Sequence, residues 1–152
     1  MKPQFYDTLN RQAAALLEGE TDLIAGMANF SALLNEHLND LNWVGFYLMK
    51  GDQLVLGPFQ GKVACTRIPL GKGVCGTAAA TDITQLVADV HQFAGHIACD
   101  SASNSEIVVP VRSDQQVVAV LDIDSPLFAR FDKDDQQGLE MLVKTFESCL
   151  FA

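Results

Sequence analysis

The stretch EIVVPVRSDQQVVAVLDID, residues 106–124, decides the fold. Two apolar runs flank the polar residues that begin at Asp114, and this pattern predicts an antiparallel hairpin. The second run is apolar on both faces, with Val118 and Val120 on one side and Val117, Ala119, Leu121 and Ile123 on the other. A sheet that contains such a strand is covered on both sides. We therefore expect an α+β fold in which helices flank an antiparallel sheet.

The segments between the termini and this hairpin fit the same architecture. Residues 42–50, NWVGFYLMK, and residues 53–59, QLVLGPF, predict a second hairpin around Gly51-Asp52. Residues 62–68 predict a shorter strand, and residues 70–80 predict a Gly-rich loop that enters a short helix. Residues 82–105 predict a long irregular segment, and such segments often carry function.

Three amphipathic helices are predicted from apolar residues at helical spacing. Their apolar positions are Phe5, Leu9, Ala13 and Leu17; then Leu23, Met27, Phe30, Leu34 and Leu38; and finally Leu139, Leu142, Val143, Phe146 and Leu150. Thr21 or Asp22 is placed to cap the second helix, and Asp132 is placed to cap the third.

Composition narrows the class of protein. The chain has 152 residues, of which 49% are hydrophobic, and we interpret it as one domain, residues 1–152, with one core. The net charge of -9 argues against nucleic acid as a partner, because an acidic surface repels phosphates. No apolar run is long enough to span a bilayer, and the N-terminus carries no export signal. We therefore expect a cytoplasmic protein without a membrane partner.

The cysteines Cys65, Cys75, Cys99 and Cys149 favour redox chemistry over structural cross-links. A chain that can build a core needs no disulfide scaffold, and the spacing of cysteines and histidines predicts no structural zinc site. Three of the cysteines fall in the loop-rich half, although each could instead be a small buried hydrophobe. At Cys75 a Gly-rich loop meets a helix N-terminus, which predicts a lowered thiol pKa. Cys149 falls near the apolar stripe of the last helix and is expected to be inert.

Three acidic residues are candidates for one shared site. Asp122 and Asp124 lie two apart on a predicted strand, so their carboxylates point to the same face. If the hairpin closes near Asp114, Glu106 lies close to the level of Asp122 on the adjacent strand. Buried like charges require a metal, an ammonium or a guanidinium. The alternatives are a solvated strand end for the aspartates and an exposed strand start for Glu106.

Two aromatic residues are candidates for a pocket wall. Trp43 and Tyr47 share one face of the first strand, and Gly45 between them leaves space above the backbone. The alternative is that both rings simply pack in the core. His91 and His96 flank the segment that carries Cys99, and neither has an assigned role.

The sequence resembles the free methionine-(R)-sulfoxide reductases, which are stand-alone GAF-domain enzymes. The resemblance runs from about Trp43 to Pro126, in the runs NWVGFYL, LVLGPFQGKVACTRIPLGKGVCGTAAA, VADVHQFAGHIACDSASNSEIVVPV and VLDIDSP. The run GHIACDSASNSEIVVP and the arrangement of three cysteines are not general GAF features. The resemblance implies a GAF fold, with an antiparallel sheet of about six strands and the site on one face.

The resemblance also implies a role for each candidate residue. Cys99 in HIACD is the implied catalytic cysteine, Cys65 in KVACTRIP the resolving cysteine, and Cys75 in KGVCGT an auxiliary thiol. Trp43 and Tyr47 are similar to the aromatic residues that hold the thioether end of the substrate. Glu106, Asp122 and Asp124 are similar to the carboxylates that bind and polarise it. Members of the family are generally recycled by thioredoxin and are often homodimers.

Together these residues predict an enzyme that repairs free methionine-R-sulfoxide under oxidative stress, with no metal or organic cofactor. The carboxylates accept the substrate ammonium, and a protonated carboxyl donates to the sulfoxide oxygen. Cys99 attacks the sulfur and becomes a sulfenic acid, and Cys65 then forms a redox-active disulfide that thioredoxin reduces. One alternative is a ligand-binding GAF sensor without catalysis. Another is a thiol redox sensor without a small substrate.

Overall fold

The structure is a computed structural model that describes residues 1–96 and 102–151. Within these ranges the helices are α1 (Lys2–Leu17), α2 (Leu23–His37), α3 (Gly73–Thr81) and α4 (Lys133–Leu150), with a 3-10 turn at Val90–Gln92. The strands are β1 (Trp43–Lys50), β2 (Gln53–Gly61), β3 (Arg67–Pro69), β4 (Gln85–Val87), β5 (Ser105–Ser113) and β6 (Gln116–Ser125). They form one antiparallel sheet in the order β3-β2-β1-β6-β5-β4, so the expected α+β architecture is confirmed.

Helices α1, α2 and α4 cover one face of the sheet with a large apolar core. The predicted caps are confirmed, because the Asp22 side chain accepts a hydrogen bond from the Ala25 amide and Asp132 forms a capping box at the start of α4. The predicted core position Phe5 is wrong: Phe5 is 39% exposed and its neighbour Tyr6 is buried. Among the described helices, none is long and apolar enough to cross a membrane.

The opposite face of the sheet carries a smaller apolar cluster, which packs against α3, β3 and the loop that follows β2. The short helix expected within residues 70–80 is present as α3. The strand expected over residues 62–68 is confined to β3, because residues 62–66 form a loop. The irregular segment of residues 82–105 contains the short strand β4, which pairs with the start of β5. This smaller, loop-rich side of the sheet is the one that holds the cleft described below.

A bulge in β6 sets which residues face this side. Arg112 pairs with Val117 and Val111 pairs with Ala119, so Val118 is an extra residue on β6. The extra residue reverses the alternation. Val117 therefore packs on the α3 side and Val118 on the helical core, opposite to the predicted arrangement.

The same bulge places Glu106. It pairs directly with Asp124, whereas counting outward from the Ser113–Gln116 pair without an extra residue would set it against Ile123. Paired residues on antiparallel strands point to the same face. Because Ile123 belongs to the helical core, the bulge is what brings Glu106 to the face of Asp122 and Asp124.

Candidate active site

A cleft opens between α3 and the sheet. It holds about 490 Å³ of space free of protein atoms, a figure that includes the open solvent at its mouth. Its described lining is Trp43, Tyr47, Ala64, Ile68, Lys72, Gly73, Val74, Cys75, His96, Ser103, Glu106, Asp122 and Asp124. The structure therefore brings the candidate aromatics, the candidate carboxylates and Cys75 to one cleft. Cys65 follows the lining residue Ala64 in the chain, and Cys99 lies outside the described residues.

The carboxylates converge through strand pairing. Glu106 on β5 lies opposite Asp124 on β6, and Asp122 follows two residues earlier on the same face. The expected position of Glu106, close to the level of Asp122, differs from the observed one by two residues of β6, because its direct partner is Asp124. Glu106 and Asp122 are only 6% and 5% exposed, so the alternatives of an exposed strand start and a solvated strand end fail for these two residues.

Within the described residues, this cluster forms no ion pair. The Oδ1 atoms of Asp122 and Asp124 are buried and have no hydrogen-bond partner among the described residues. Burial, followed by the charge of Asp122, raises the pKa of Glu106 and the pKa of Asp124 well above their usual ranges. The cleft therefore favours a protonated carboxyl group over a third negative charge, and it can receive a cation.

Cys75 touches the cluster from α3. Its thiol donates to Oε2 of Glu106 at 4.0 Å, and burial followed by the nearby carboxylates raises its pKa. The predicted lowering of this pKa is wrong, because burial and negative charge outweigh the N-terminus of a nine-residue helix. Cys75, Glu106 and Asp122 each place a donor atom within 4.8 Å of the others, so they could hold a metal ion as well as a proton.

The aromatic wall is more tightly packed than expected. The Trp43 ring stacks on Tyr47 at 5.8 Å and on Phe59 at 5.1 Å. A Cβ atom on Gly45 would lie 2.2 Å from the Cβ of Phe59, so the space above this glycine is filled by Phe59 and is not open to a ligand. The two interpretations of this aromatic pair, a pocket wall and core packing, each hold in part, because Trp43 and Tyr47 are buried and also line the cleft.

The polar ends of both aromatics bind the loop that carries Cys65. Nε1 of Trp43 donates to the carbonyl of Lys62 at 3.2 Å, and the Tyr47 hydroxyl donates to the carbonyl of Cys65 at 2.9 Å. Cys65 is disulfide-bonded, whereas Cys75 and Cys149 are free thiols. Cys149 packs against the helical core, away from the cleft, as expected for an inert residue.

Sequence reasoning missed three polar residues of the cleft. Ser103 donates to Oδ2 of Asp124 at 3.0 Å, while Lys72 is the N-cap residue of α3 and His96 precedes residues 97–101. Burial, and then the charge of His91, lowers the pKa of His96. Ser103 and His96 could have been found because they fall in the long irregular segment, which is the kind of segment that often carries function. Lys72 could have been found because it immediately precedes the predicted short helix.

The chain is similar to a known domain family and to proteins of known activity. The family model "GAF domain" matches residues 12–150. The free methionine-R-sulfoxide reductase of Escherichia coli is 58% identical over 149 residues, which cover 98% of this chain and 90% of that protein.

Solved structures agree with the sequence comparison. The fRMsr of Staphylococcus aureus in complex with substrate is 56% identical with a TM-score of 0.92, and the match covers 95% of each chain. A Burkholderia vietnamiensis protein described as a candidate GAF sensor is also 56% identical, with a TM-score of 0.96 and coverage of 99% of this chain and 96% of that one. The chain therefore belongs to the GAF domain family and, within it, to the free methionine-R-sulfoxide reductases.

Proposed function

We propose that this protein is an oxidoreductase that reduces free methionine-R-sulfoxide to methionine, with Cys99 as the attacking thiolate and Cys65 as the resolving thiol. The observation that carries the proposal is the cleft itself. Its sheet face carries two aromatic rings on β1 and three carboxyl groups on β6 and β5, and these carboxyl groups form no ion pair among the described residues. An amino acid with an apolar sulfur end and a free ammonium matches this combination of aromatic and acidic groups.

The substrate is held by three kinds of contact. The carboxyl cluster receives the ammonium, which supplies the missing positive charge. Trp43 and Tyr47 pack on the methyl group and the sulfur, since sulfur and aromatic rings attract each other. Lys72 supplies a cation for the substrate carboxylate. A methionine within a peptide chain lacks both the free ammonium and the free carboxylate, so the cleft selects the free amino acid.

The reaction transfers the sulfoxide oxygen to a cysteine. The Cys99 thiolate attacks the sulfur, the S–O bond of the substrate breaks, and with one proton the products are methionine and a Cys99 sulfenic acid. The raised pKa of Glu106 supports this carboxyl as the proton donor to the sulfoxide oxygen. The Cys65 thiol then attacks the sulfenic sulfur, which forms a Cys65–Cys99 disulfide and releases water.

Thioredoxin closes the cycle by returning two electrons to this disulfide. The hydrogen bond from Tyr47 to the Cys65 carbonyl supports a resolving role, because it holds this loop at the cleft. Disulfide formation at Cys65 beside the free thiol of Cys75 supports the same order of roles. Cys75, whose pKa is raised, remains a thiol at neutral pH and serves as an auxiliary group.

A thioredoxin-coupled assay tests the proposal. Reduced protein with thioredoxin, its reductase and NADPH should consume free methionine-R-sulfoxide, and the S epimer and N-acetylmethionine sulfoxide should react far more slowly. Equal rates with the N-acetylated compound would refute the ammonium site. If the substrate binds and neither NADPH nor protein thiols are consumed, the protein is a ligand-binding sensor instead.

A single-turnover experiment separates the two cysteines. Cys99→Ser should form no methionine, because a serine hydroxyl is scarcely ionised at neutral pH. Cys65→Ser should form up to one methionine per protein and then stop as a sulfenic acid, which dimedone traps. Cys149→Ser is the matched control and should behave as wild type. Methionine from Cys99→Ser and none from Cys65→Ser would reverse the assignment.

A further inference from the structure

Ser103 is a buried hydroxyl whose hydrogen bonds run in one direction. Nδ2 of Asn42 donates to the Ser103 Oγ at 3.0 Å, and this Oγ donates to Oδ2 of Asp124 at 3.0 Å. Because the Asn42 Nδ2 is a donor only, Ser103 must accept from it and can direct its single proton at Asp124. Ser103 is only 5% exposed, so water does not compete strongly for this proton.

This contact distinguishes Asp124 from the other two carboxyl groups. Within residues 1–96 and 102–151, neither Glu106 nor Asp122 accepts a hydrogen bond from a hydroxyl or a backbone amide. A hydrogen bond from a hydroxyl stabilises the ionised form of the carboxylate that receives it. The cluster is therefore asymmetric, although its three members share one face of the sheet.

We propose that Ser103, held by Asn42, is a positioning residue that keeps Asp124 as the ionised anchor for the substrate ammonium and leaves the shared proton on Glu106. This inference rests on the proposed function, since the ammonium belongs to the substrate named there. It divides between two carboxyl groups the roles of cation binding and proton donation.

The electrostatics of the cluster support this division. Burial, and then the charge of Asp122, raises the pKa of Asp124, while the hydrogen bond from Ser103 lowers it. The hydrogen bond from Ser103 therefore favours a proton on Glu106 over a proton on Asp124.

The other groups around Asp124 do not replace Ser103. The titratable and charged groups that face it are Glu106 on β5, Asp122 on β6, Cys75 on α3 and Tyr47 on β1, with Lys72 and His96 elsewhere on the cleft lining. The first four are acidic groups, which disfavour a second negative charge. Among the described residues, no cationic side chain forms an ion pair with Asp124.

The first test measures the ionisation of Asp124 without turnover. In reduced protein labelled with ¹³C-aspartate, the Asp124 carboxyl resonance is identified by its loss in Asp124→Asn. Ser103→Ala should raise the titration midpoint of Asp124 by about one to two pH units, the effect of losing one hydrogen bond to a charged group. Ser103→Thr retains a hydroxyl and should restore the midpoint.

The matched control is Ser105→Ala. It removes another buried serine hydroxyl, which donates to the Leu127 carbonyl at 2.6 Å and not to the cluster. This control should leave the Asp124 midpoint unchanged. An unchanged midpoint in folded Ser103→Ala would overturn the inference. Should Ser103→Ala fail to fold, Asn42→Ala should move the midpoint in the same direction, and no movement would overturn the inference equally.

The second test uses kinetics. Ser103→Ala should raise KM for free methionine-R-sulfoxide about tenfold or more, with a smaller change in kcat, and the rise in KM should grow as the pH falls. In an Asp124→Asn background the same substitution should have no further effect, since Ser103 acts through Asp124. Independent, additive effects would contradict the inference. If wild-type protein does not turn over the substrate, the proposed function fails, and the titration of Asp124 still decides the role of Ser103.

Discussion

Replacing Glu106 by glutamine is expected to stabilise the protein while slowing its reaction. The substitution keeps the shape of the side chain and removes a charge and a titrating proton. Glu106 is 6% exposed and lies directly opposite Asp124, with Asp122 on the same face. Its pKa is raised by burial and by the charge of Asp122, so the folded protein retains a proton that the unfolded chain releases.

The size of the stabilisation follows from this geometry. Side chains directly opposite on antiparallel strands are about 5 Å apart, and two unit charges at that distance repel by about 3 kcal/mol at an effective dielectric constant of about 20. A shared proton already relieves part of this repulsion. We therefore expect Glu106→Gln to raise the free energy of unfolding by about 1–3 kcal/mol, or Tm by roughly 2–12 °C.

The pH dependence has a definite sign. Below about pH 4 the carboxyl is protonated in both states, and Glu106 has no electrostatic cost. As the pH rises, the unfolded chain loses this proton first, so the stability of wild type falls until the folded group ionises. The stability advantage of Glu106→Gln should therefore be small near pH 4 and grow towards pH 8.

Thermal unfolding of the reduced protein from about pH 4 to about pH 8 measures this difference. Glu36→Gln, at a side chain that is 75% exposed, is the matched control and should follow wild type. In the coupled assay Glu106→Gln should lose about ten- to a hundredfold in kcat/KM, as expected for one charged hydrogen bond. A variant less stable than wild type at neutral pH, or a Tm difference independent of pH, would refute this reasoning.

Three further substitutions test other parts of the structure. Tyr47→Phe removes the hydrogen bond to the Cys65 carbonyl and should cost about 0.5–1.5 kcal/mol of stability and slow disulfide formation, measured by rapid quench after one turnover. Gly45→Ala places a Cβ 2.2 Å from the Cβ of Phe59 and should destabilise the protein by about 1–3 kcal/mol or more in urea unfolding. Asp132→Ala removes the cap of α4 and should cost about 0.5–2 kcal/mol at neutral pH. This cost should vanish as the pH falls from about 4 towards 2, because the hydrogen bond from the Asp135 backbone lowers the pKa of Asp132 to about 2.

The helices and hairpins were predictable because their residues repeat at a fixed period. Asp22 and Asp132 begin helices at the expected positions, since a cap is a local property of the sequence. The choice of Tyr6 over Phe5 was not predictable, because it depends on contact with a distant glycine. A Cβ on Gly138 would lie 2.1 Å from the Tyr6 ring, so the close approach of α1 and α4 at this position requires a glycine.

The short strand β4 and the details of the site depend on tertiary structure. Residues 85–87 are half-buried and too few to show alternation, and they form a strand because β5 offers an edge. The types of residue at the site were available from sequence and resemblance. The pKa of Cys75 was not, because its sign depends on burial and on carboxylates more than 30 residues away in the chain. The contact of Asn42 with Ser103 joins two separate loops, and no spacing rule predicts it.

The extra residue at Val118 leaves β6 two ways to align on β5, and one of them builds the carboxyl cluster. If Val118 were a regular partner in the ladder that starts at the Ser113–Gln116 pair, Glu106 would lie opposite Ile123, among the aliphatic side chains beneath the helices. A carboxyl group would then be buried without polar partners, and the cleft would lose its proposed proton donor at the same time. Deleting Val118 removes this second alignment and keeps Glu106 opposite Asp124, so a β6 strand one residue shorter is expected to retain the cluster.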